Sequence, residues 1–457
     1  MTNKELFKTT PIPKALATMA VPTIISQLIT TVYNMADTLF IGMSNDPYKV
    51  AAATLSGVLF FFMNALANLF GIGGGSLLSR LLGQKREEEA RRVGAFSIYG
   101  ALAISAIYAL ICFVFSEKLV IMLGASPNTL EYAQSYLFWV VVIGGIPSTV
   151  GMTMSHVVRS AGYAKESSTG LALGGVCNII LDPLFMFVLL PAGNEVTGAA
   201  IATTLSNIIS LIYFITVFHK HSSTTVLSLS IKEAHPETSS IKQVFSVGLP
   251  SCVSSLLANT TSIIRNNLTT GYGDIEMAAY GIVQKIDMLP LNIGMGLCQG
   301  MMPLVAYNYA SKDYKRMKGF TKAAQMAGVT AALIFIAACQ LFAPQIMHLF
   351  IQEEQTVRYG SDFLRIACIA TPFIISNFQK IYCLQAMGKG KESLMLSICR
   401  QGLLAIPILL ILNKYAGLYG VVSAQPLSDG ITFIFSSLLY HKVYTDLVKK
   451  MEQEATL

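Results

Sequence analysis

The chain has 457 residues, of which 53% are hydrophobic and only 12% charged, and its formal net charge is +7. Soluble domains carry about 25% charged residues, so this composition excludes a water-dissolved globular protein and requires lipid as the main solvent of the chain. The excess of Lys and Arg does not point to nucleic acid, because its placement along the chain follows a membrane topology.

Residues 1–14 form a polar arm with Lys4, Lys8 and Lys14. The apolar run that follows carries Asp37 and lacks a small-residue cleavage site, so it is expected to be a first span and not a cleavable signal. Apolar stretches of about 20 residues predict twelve spans. They lie near 16–42, 51–79, 94–115, 133–158, 168–190 and 195–218, then 243–270, 277–308, 320–342, 361–387, 394–412 and 416–440. A polar stretch from His219 to Ser240, with Ser/Thr runs and Pro236, joins two halves. The expected organisation is an N-lobe over 1–218, a cytoplasmic linker over 219–242, a C-lobe over 243–441 and a cytoplasmic tail over 442–457.

Of the 32 Lys and Arg, 25 fall in the N-terminal arm, the C-terminal tail and the loops near 80–92, 159–165, 220–242, 312–322 and 380–400. Lys49, Lys118, Arg358, Arg365 and Lys414 fall on the opposite side, and Arg265 and Lys285 lie in or near spans. This asymmetry predicts that both termini are cytoplasmic, as an even number of spans also requires.

The halves repeat each other at an offset of about 226 residues, which places a pseudo-twofold axis along the membrane normal. Val21-Pro22 recurs as Leu249-Pro250, Gly83-Gln84-Lys85 as Ala310-Ser311-Lys312, and the segment from Gly162 to Ser167 as that from Gly388 to Ser393. The expected fold class is therefore all-α integral membrane, with twelve transmembrane helices in two pseudo-twofold-related six-helix bundles facing a central cleft. Two such bundles suit alternating access.

An ionisable side chain at mid-membrane costs from about 2.5 to over 10 kcal/mol, so each one in a span requires a reason. Asn178 and Asp182 are four residues apart on one helix face, and Pro183 frees the carbonyl of Ile179. Counting along the spans at 1.5 Å per residue places Asp37 about 9 Å, and Asp182 and Thr203 about 4–5 Å, beyond their span midpoints. Asp37, Asn178, Asp182 and Thr203 are thus expected to meet in the outer half of the first bundle, where their oxygens suit a proton or a hard cation such as Na+. The alternative is that the carboxylates are structural anchors between helices. Pro22 marks a kink or hinge in the first span.

The remaining polar residues of the spans, Asn34, Arg265, Asp287 and Asp429, either face the cleft or serve as structural hydrogen-bonding groups. Arg265 and Asp287 are expected to pair across the second bundle, and for Asp429, in the middle of the twelfth span, lining the cleft and a structural role both stay open. Gly71, Gly73, Gly74 and Gly75 are expected to let helices approach closely. Eight scattered cysteines without CxxC spacing and six histidines without HExxH spacing predict neither a zinc site nor a disulfide framework.

The run from Pro22 through TVYNMADTLFIG, with GGGSLLSRLLGQ, RSAGYAKES, NIILDP and GMGLCQGMMPLVAYNYASKDYKR, resembles the multidrug and toxic compound extrusion (MATE) family, most closely its MepA-like bacterial branch. The resemblance covers about residues 10–445. It implies a secondary antiporter in a bacterial cytoplasmic membrane that exports small amphipathic, cationic compounds in exchange for H+ or Na+. In that resemblance Asp37, Asn178, Asp182 and Thr203 match ion-coupling positions, and Pro22 matches a bending proline. No cofactor, enzymatic activity or nucleic-acid partner is expected, and the chain is expected to act as a monomer. The competing reading is a flippase for a lipid-linked oligosaccharide or related precursor, which would need a strongly cationic cleft.

Overall fold

Long apolar helices account for nearly all of the chain. The computed structural model describes residues 3–455 apart from 45, 192 and 270, and among these there is no strand. α1 (Ile12–Gly42), α2 (Pro47–Gly83) and α3 (Glu87–Val114) are unbroken. Asp46 caps α2 by accepting from the Tyr48 N–H at 2.9 Å, with Pro47 in the first turn where its missing N–H costs nothing.

The fourth span is not the single helix expected near 133–158. α4 consists of Leu130–Ile143 and Gly145–Ser160, bent by 41°. A hydroxyl inserted into the helix ladder explains the break: Thr204 donates to the Trp139 carbonyl at 2.7 Å, and the Gly144 N–H bonds the same carbonyl in a π-turn. α5 (Ala164–Leu184) also ends in a π-turn, Phe185–Leu189, just after Pro183.

Next come α6 (Glu195–His221), α7 (Thr238–Thr269), α8 (Asp274–Ala310) and α9 (Tyr314–His348). α10 is formed by Glu354–Ala367 and Thr371–Ala386 around a 3-10 turn. The last apolar stretch, Gly390–Leu447, is 58 residues long, and Gly417 at φ 57° divides it into α11 (390–416) and α12 (418–455). That backbone angle has no steric cost for glycine alone.

The internal repeat is visible in the turns. Lys85 and Lys312 close the α2–α3 and α8–α9 turns at φ 62° and 63°, and Gly162 and Gly388 close α4–α5 and α10–α11 at φ 97° and 75°. The breaks in α4 and α10 are likewise equivalent.

α1–α6 and α7–α12 form two bundles. At the end carrying both chain termini, one apolar core crosses the seam: Leu16, Met19, Ala20 and Ile72 pack with Leu297, Met301, Tyr382 and Leu384. At the far end the cores are separate, one around Met63, Leu137 and Val141 and another around Ile286, Phe363 and Leu364. The bundles are therefore sealed at the terminal end and part toward the other.

Glycine makes the seal possible. A Cβ on Gly73 would meet the backbone of Val244 and Gly248, and one on Gly248 would meet the backbone of Leu69, so α2 and α7 cross backbone to backbone. Gly71, Gly74 and Gly75 similarly accept His156, Ser97 and Ser160, in line with the expected packing role. The polar linker is tied down as well. Leu227 is fully buried, and the Glu89 carboxylate accepts from the Glu237 N–H at 2.9 Å and the Ser240 hydroxyl at 2.6 Å.

Candidate functional site

Among the polar groups of the interior, two regions bear on transport, one inside the first bundle and one in the cleft wall of the second. In the first, α1 and α5 run in the same direction and touch where Tyr33 packs on Gly175. Asp37 is one turn beyond Tyr33, and Asn178 and Asp182 lie within two turns beyond Gly175, so the three polar residues reach one level. Asn178 Nδ2 donates to Asp182 Oδ1 at 3.0 Å and to Thr203 Oγ1 on α6 at 3.3 Å. Asp182 is fully buried and Asn178 is 2% exposed. Asp37 lies within electrostatic reach of Asp182, and Tyr33 and Tyr136 lie within reach of both.

The cluster is short of donors. Asp37 Oδ1, Asn178 Oδ1 and Asp182 Oδ2 are all buried without a hydrogen-bond partner. Buried acceptors are normally satisfied, and a buried carboxylate without a positive partner costs several kcal/mol. Two carboxylates, an amide oxygen and a hydroxyl suit a proton or a sodium ion, both of which bind hard oxygen ligands. Among the described residues there is no group of three or more His, Cys, Asp or Glu placed to hold a metal ion.

Sequence reasoning brought Asp37, Asn178, Asp182 and Thr203 together but omitted Tyr33 and Tyr136. The signal for Tyr33 was present, since it precedes Asp37 by four residues, one helical turn on the same face. Asn34 is exposed and does not line the cleft cavity. Pro22 lies inside a continuous α1, between Ala20 and Ile24, the residues whose backbones press on Gly300 and Gly296 of α8.

The second region lines a cavity of about 530 Å³ between the bundles. Its floor at the sealed end holds Gln299, which accepts from Arg159 Nη1 at 2.9 Å, and its walls carry Arg265, Asp287, Arg400 and Gln425. The expected Arg265–Asp287 pair does not form. Arg265 Nη2 donates instead to Gln425 Oε1, and Arg265 Nε and Asp287 Oδ1 are both buried without partners. Both residues line the cavity, so the cleft-facing role is the one the geometry favours for each.

Asp429 does not line the cleft. It is fully buried behind the wall, accepting from Arg400 Nε at 2.6 Å and from Gln425 Nε2. The basic loop expected over 380–400 is much shorter: α10 runs to Ala386 and α11 starts at Gly390, so Lys380 and Arg400 are both helical. Lys285, the other basic residue assigned to the spans, is exposed and lies outside the cavity. The cleft wall thus carries Arg265 and Arg400 against Asp287, with Asp429 compensating Arg400 from behind the wall, and the cleft is not strongly cationic.

Breaking a buried ion pair leaves an uncompensated charge. Arg400→Ala is expected to destabilise the protein by about 3–5 kcal/mol, whereas replacing both partners with apolar residues of similar volume is expected to cost far less. Thermal unfolding of the purified variants measures both, and equal losses for the single and double variants would remove the ion-pair account.

The MatE family profile matches residues 22–184 and 250–411, two segments that each begin at the repeated proline. Multidrug export protein MepA of Staphylococcus aureus (strain MRSA252) is 30% identical over 435 residues, covering 95% of each chain. A structure of the outward-facing conformation of a multidrug resistance MATE family transporter of the MOP superfamily gives a TM-score of 0.89 at 24% identity, over 98% of this chain and 99% of that one. A crystal structure of MATE in the straight conformation gives 0.91 at 23% identity, over 98% and 99%. Two repeated six-helix bundles, a matching family profile in each and a relative similar from end to end lead to one conclusion: the chain is a multi-pass membrane transporter that belongs to the MATE family.

Proposed function

We propose that this transporter is a secondary antiporter that exports amphipathic compounds, cationic ones among them, in exchange for H+ or Na+. The carrying observation is the cluster of three buried acceptors on Asp37, Asn178 and Asp182 that have no donor. A cation supplies the positive charge this cluster lacks, so its stability depends on loading. The MepA relatives are named as multidrug exporters, and the amphipathic cavity supports the same substrate class.

With the termini in the cytoplasm, as the basic-residue asymmetry indicates, the sealed end faces inward and the cavity faces outward. Cation entry from outside relieves the repulsion between Asp37 and Asp182 and lets α1 move toward α5. Because Ala20 and Ile24 of α1 press on α8 across the seam, a movement of α1 about Pro22 reaches the contact that holds the bundles closed. The cycle then runs by differential affinity: the cation favours one packing of α1 and the exported compound the other. A difference of ~1–3 kcal/mol between states suffices for coupling.

The test is drug-dependent ion flux in proteoliposomes under an imposed pH gradient, then under a sodium gradient. Efflux driven by one of the two identifies the coupling ion. Efflux indifferent to both would overturn the antiport reading.

A further inference from the structure

We infer that the second-bundle wall of the cleft holds two separate anchors of opposite charge, Asp287 for an ammonium group and Arg265 for a carboxylate, and that it selects zwitterionic amphipaths. The inference rests on the export reading and specifies its substrate class.

The charges of this wall form a short chain. Arg400 donates directly to Asp429 at 2.6 Å, and Gln425 donates to the other Asp429 oxygen. Arg265 reaches the same carboxylate only through Gln425, whose amide oxygen accepts from Arg265 Nη2. Asp429 therefore compensates Arg400 by contact, while the Arg265 guanidinium is met by a neutral amide. The Arg265 Nε is buried and unpartnered, as is Asp287 Oδ1. No contact ion pair joins Arg265 and Asp287 among the described residues, although the two lie within electrostatic reach of each other, so each keeps an open hydrogen-bonding atom beside a charge of opposite sign.

Each of these groups bears the cost of a buried polar atom left unsatisfied, which is larger for charged groups. A ligand bearing both signs relieves both at once. A simple cation satisfies Asp287 and leaves Arg265 facing like charge. The first-bundle wall adds only neutral groups, Gln27 and Asn68 with Ile72 and Met152, so it does not cancel either anchor. Tyr280, Met288 and Phe378 line the same cavity and supply apolar surface for the body of the molecule. The cavity volume of about 530 Å³ falls within the ~300–1,000 Å³ usual for drug-sized ligands. Arginine suits the anionic end because its planar fork holds a carboxylate through two N–H groups.

The experiment compares a fluorescent rhodamine that carries a free carboxylate with its methyl ester, a matched zwitterion and cation. Binding of both dyes to the purified protein is followed by fluorescence polarisation, and transport in proteoliposomes is measured separately. The wild type is expected to prefer the zwitterion. Arg265→Gln is expected to reduce that preference about tenfold, the equivalent of one charge-assisted hydrogen bond, and Arg265→Lys to keep part of it. Asp287→Asn is expected to weaken both dyes. Absence of a preference in the wild type, a preference unchanged in Arg265→Gln, or binding of neither dye overturns the inference. Discriminating binding without gradient-driven transport overturns the export reading and leaves the two-anchor site standing.

Discussion

Asp37→Asn and Asp182→Asn are each expected to lower ion-driven efflux by roughly 5- to 150-fold, the range spanned by coupling free energies of ~1–3 kcal/mol. An amide cannot take up the proton, and it offers a cation one neutral oxygen in place of a carboxylate. The effect on stability has the opposite sign from that of an ordinary buried-polar deletion. Asp182 is fully buried with one oxygen unpartnered, so neutralising it removes an uncompensated charge, and the unfolding temperature is expected to hold or rise. A structural anchor between helices would instead lose stability on substitution, by about 1–3 kcal/mol for the broken hydrogen bond. Flux assays and thermal unfolding of the same preparations separate the two accounts: normal efflux with reduced stability identifies an anchor.

The seam between the bundles is the second place where one side chain has a large effect. Gly248→Leu puts a branched side chain where the Cβ alone would already run into the Leu69 backbone, and Gly73→Leu does the same against Val244 and Gly248. Overpacking a close-packed contact costs about 1–3 kcal/mol. In the antiport cycle proposed above these backbones part when the terminal end opens, so the cost falls on the closed form alone. A penalty of that size moves a two-state equilibrium by roughly 5- to 150-fold, toward a form open at the terminal end. Spin labels at Glu88 and Lys315, exposed at the starts of α3 and α9, report the separation of the bundles at this end. The distance distribution is expected to gain a longer component in either variant, and an unchanged distribution in both would show that this crossing does not set the equilibrium.

The acidic cluster of the first bundle and the seam are joined by α1. α1 carries Tyr33 and Asp37 in its far half and Ala20 and Ile24 in its near half, with Pro22 between the latter. Proline leaves the Thr18 carbonyl without its helical donor, so α1 lacks one ladder hydrogen bond at this turn. A change of bend at this turn would shift the contacts that Ala20 and Ile24 make with α8 when the far half of α1 moves.

The linear chain alone was enough for the membrane class, the repeat and the grouping of Asp37, Asn178, Asp182 and Thr203. Lipid solvation imposes a length and an apolarity that any window reveals, and four-residue spacing along a known helix direction translates directly into position. The same reasoning failed in the second bundle, where the partners are far apart in sequence. Arg400 and Asp429 meet across α11 and α12, and Arg265 reaches Gln425 from α7, so no local spacing announces either contact. The expected Arg265–Asp287 pair was reasonable on charge and depth, but Gln425 intercepts the guanidinium.

Composition and periodicity thus specify how many helices cross and which polar groups each one carries, because those properties belong to single helices in a uniform solvent. Which polar groups pair, where α4 bends and which glycines meet depend on neighbours supplied by remote segments. Side-chain packing at ångström scale resolves those choices. The sealing of the cleft at one end rests on the same packing: Gly73 and Gly248, 175 residues apart in number, have a common role only once α2 and α7 lie against each other.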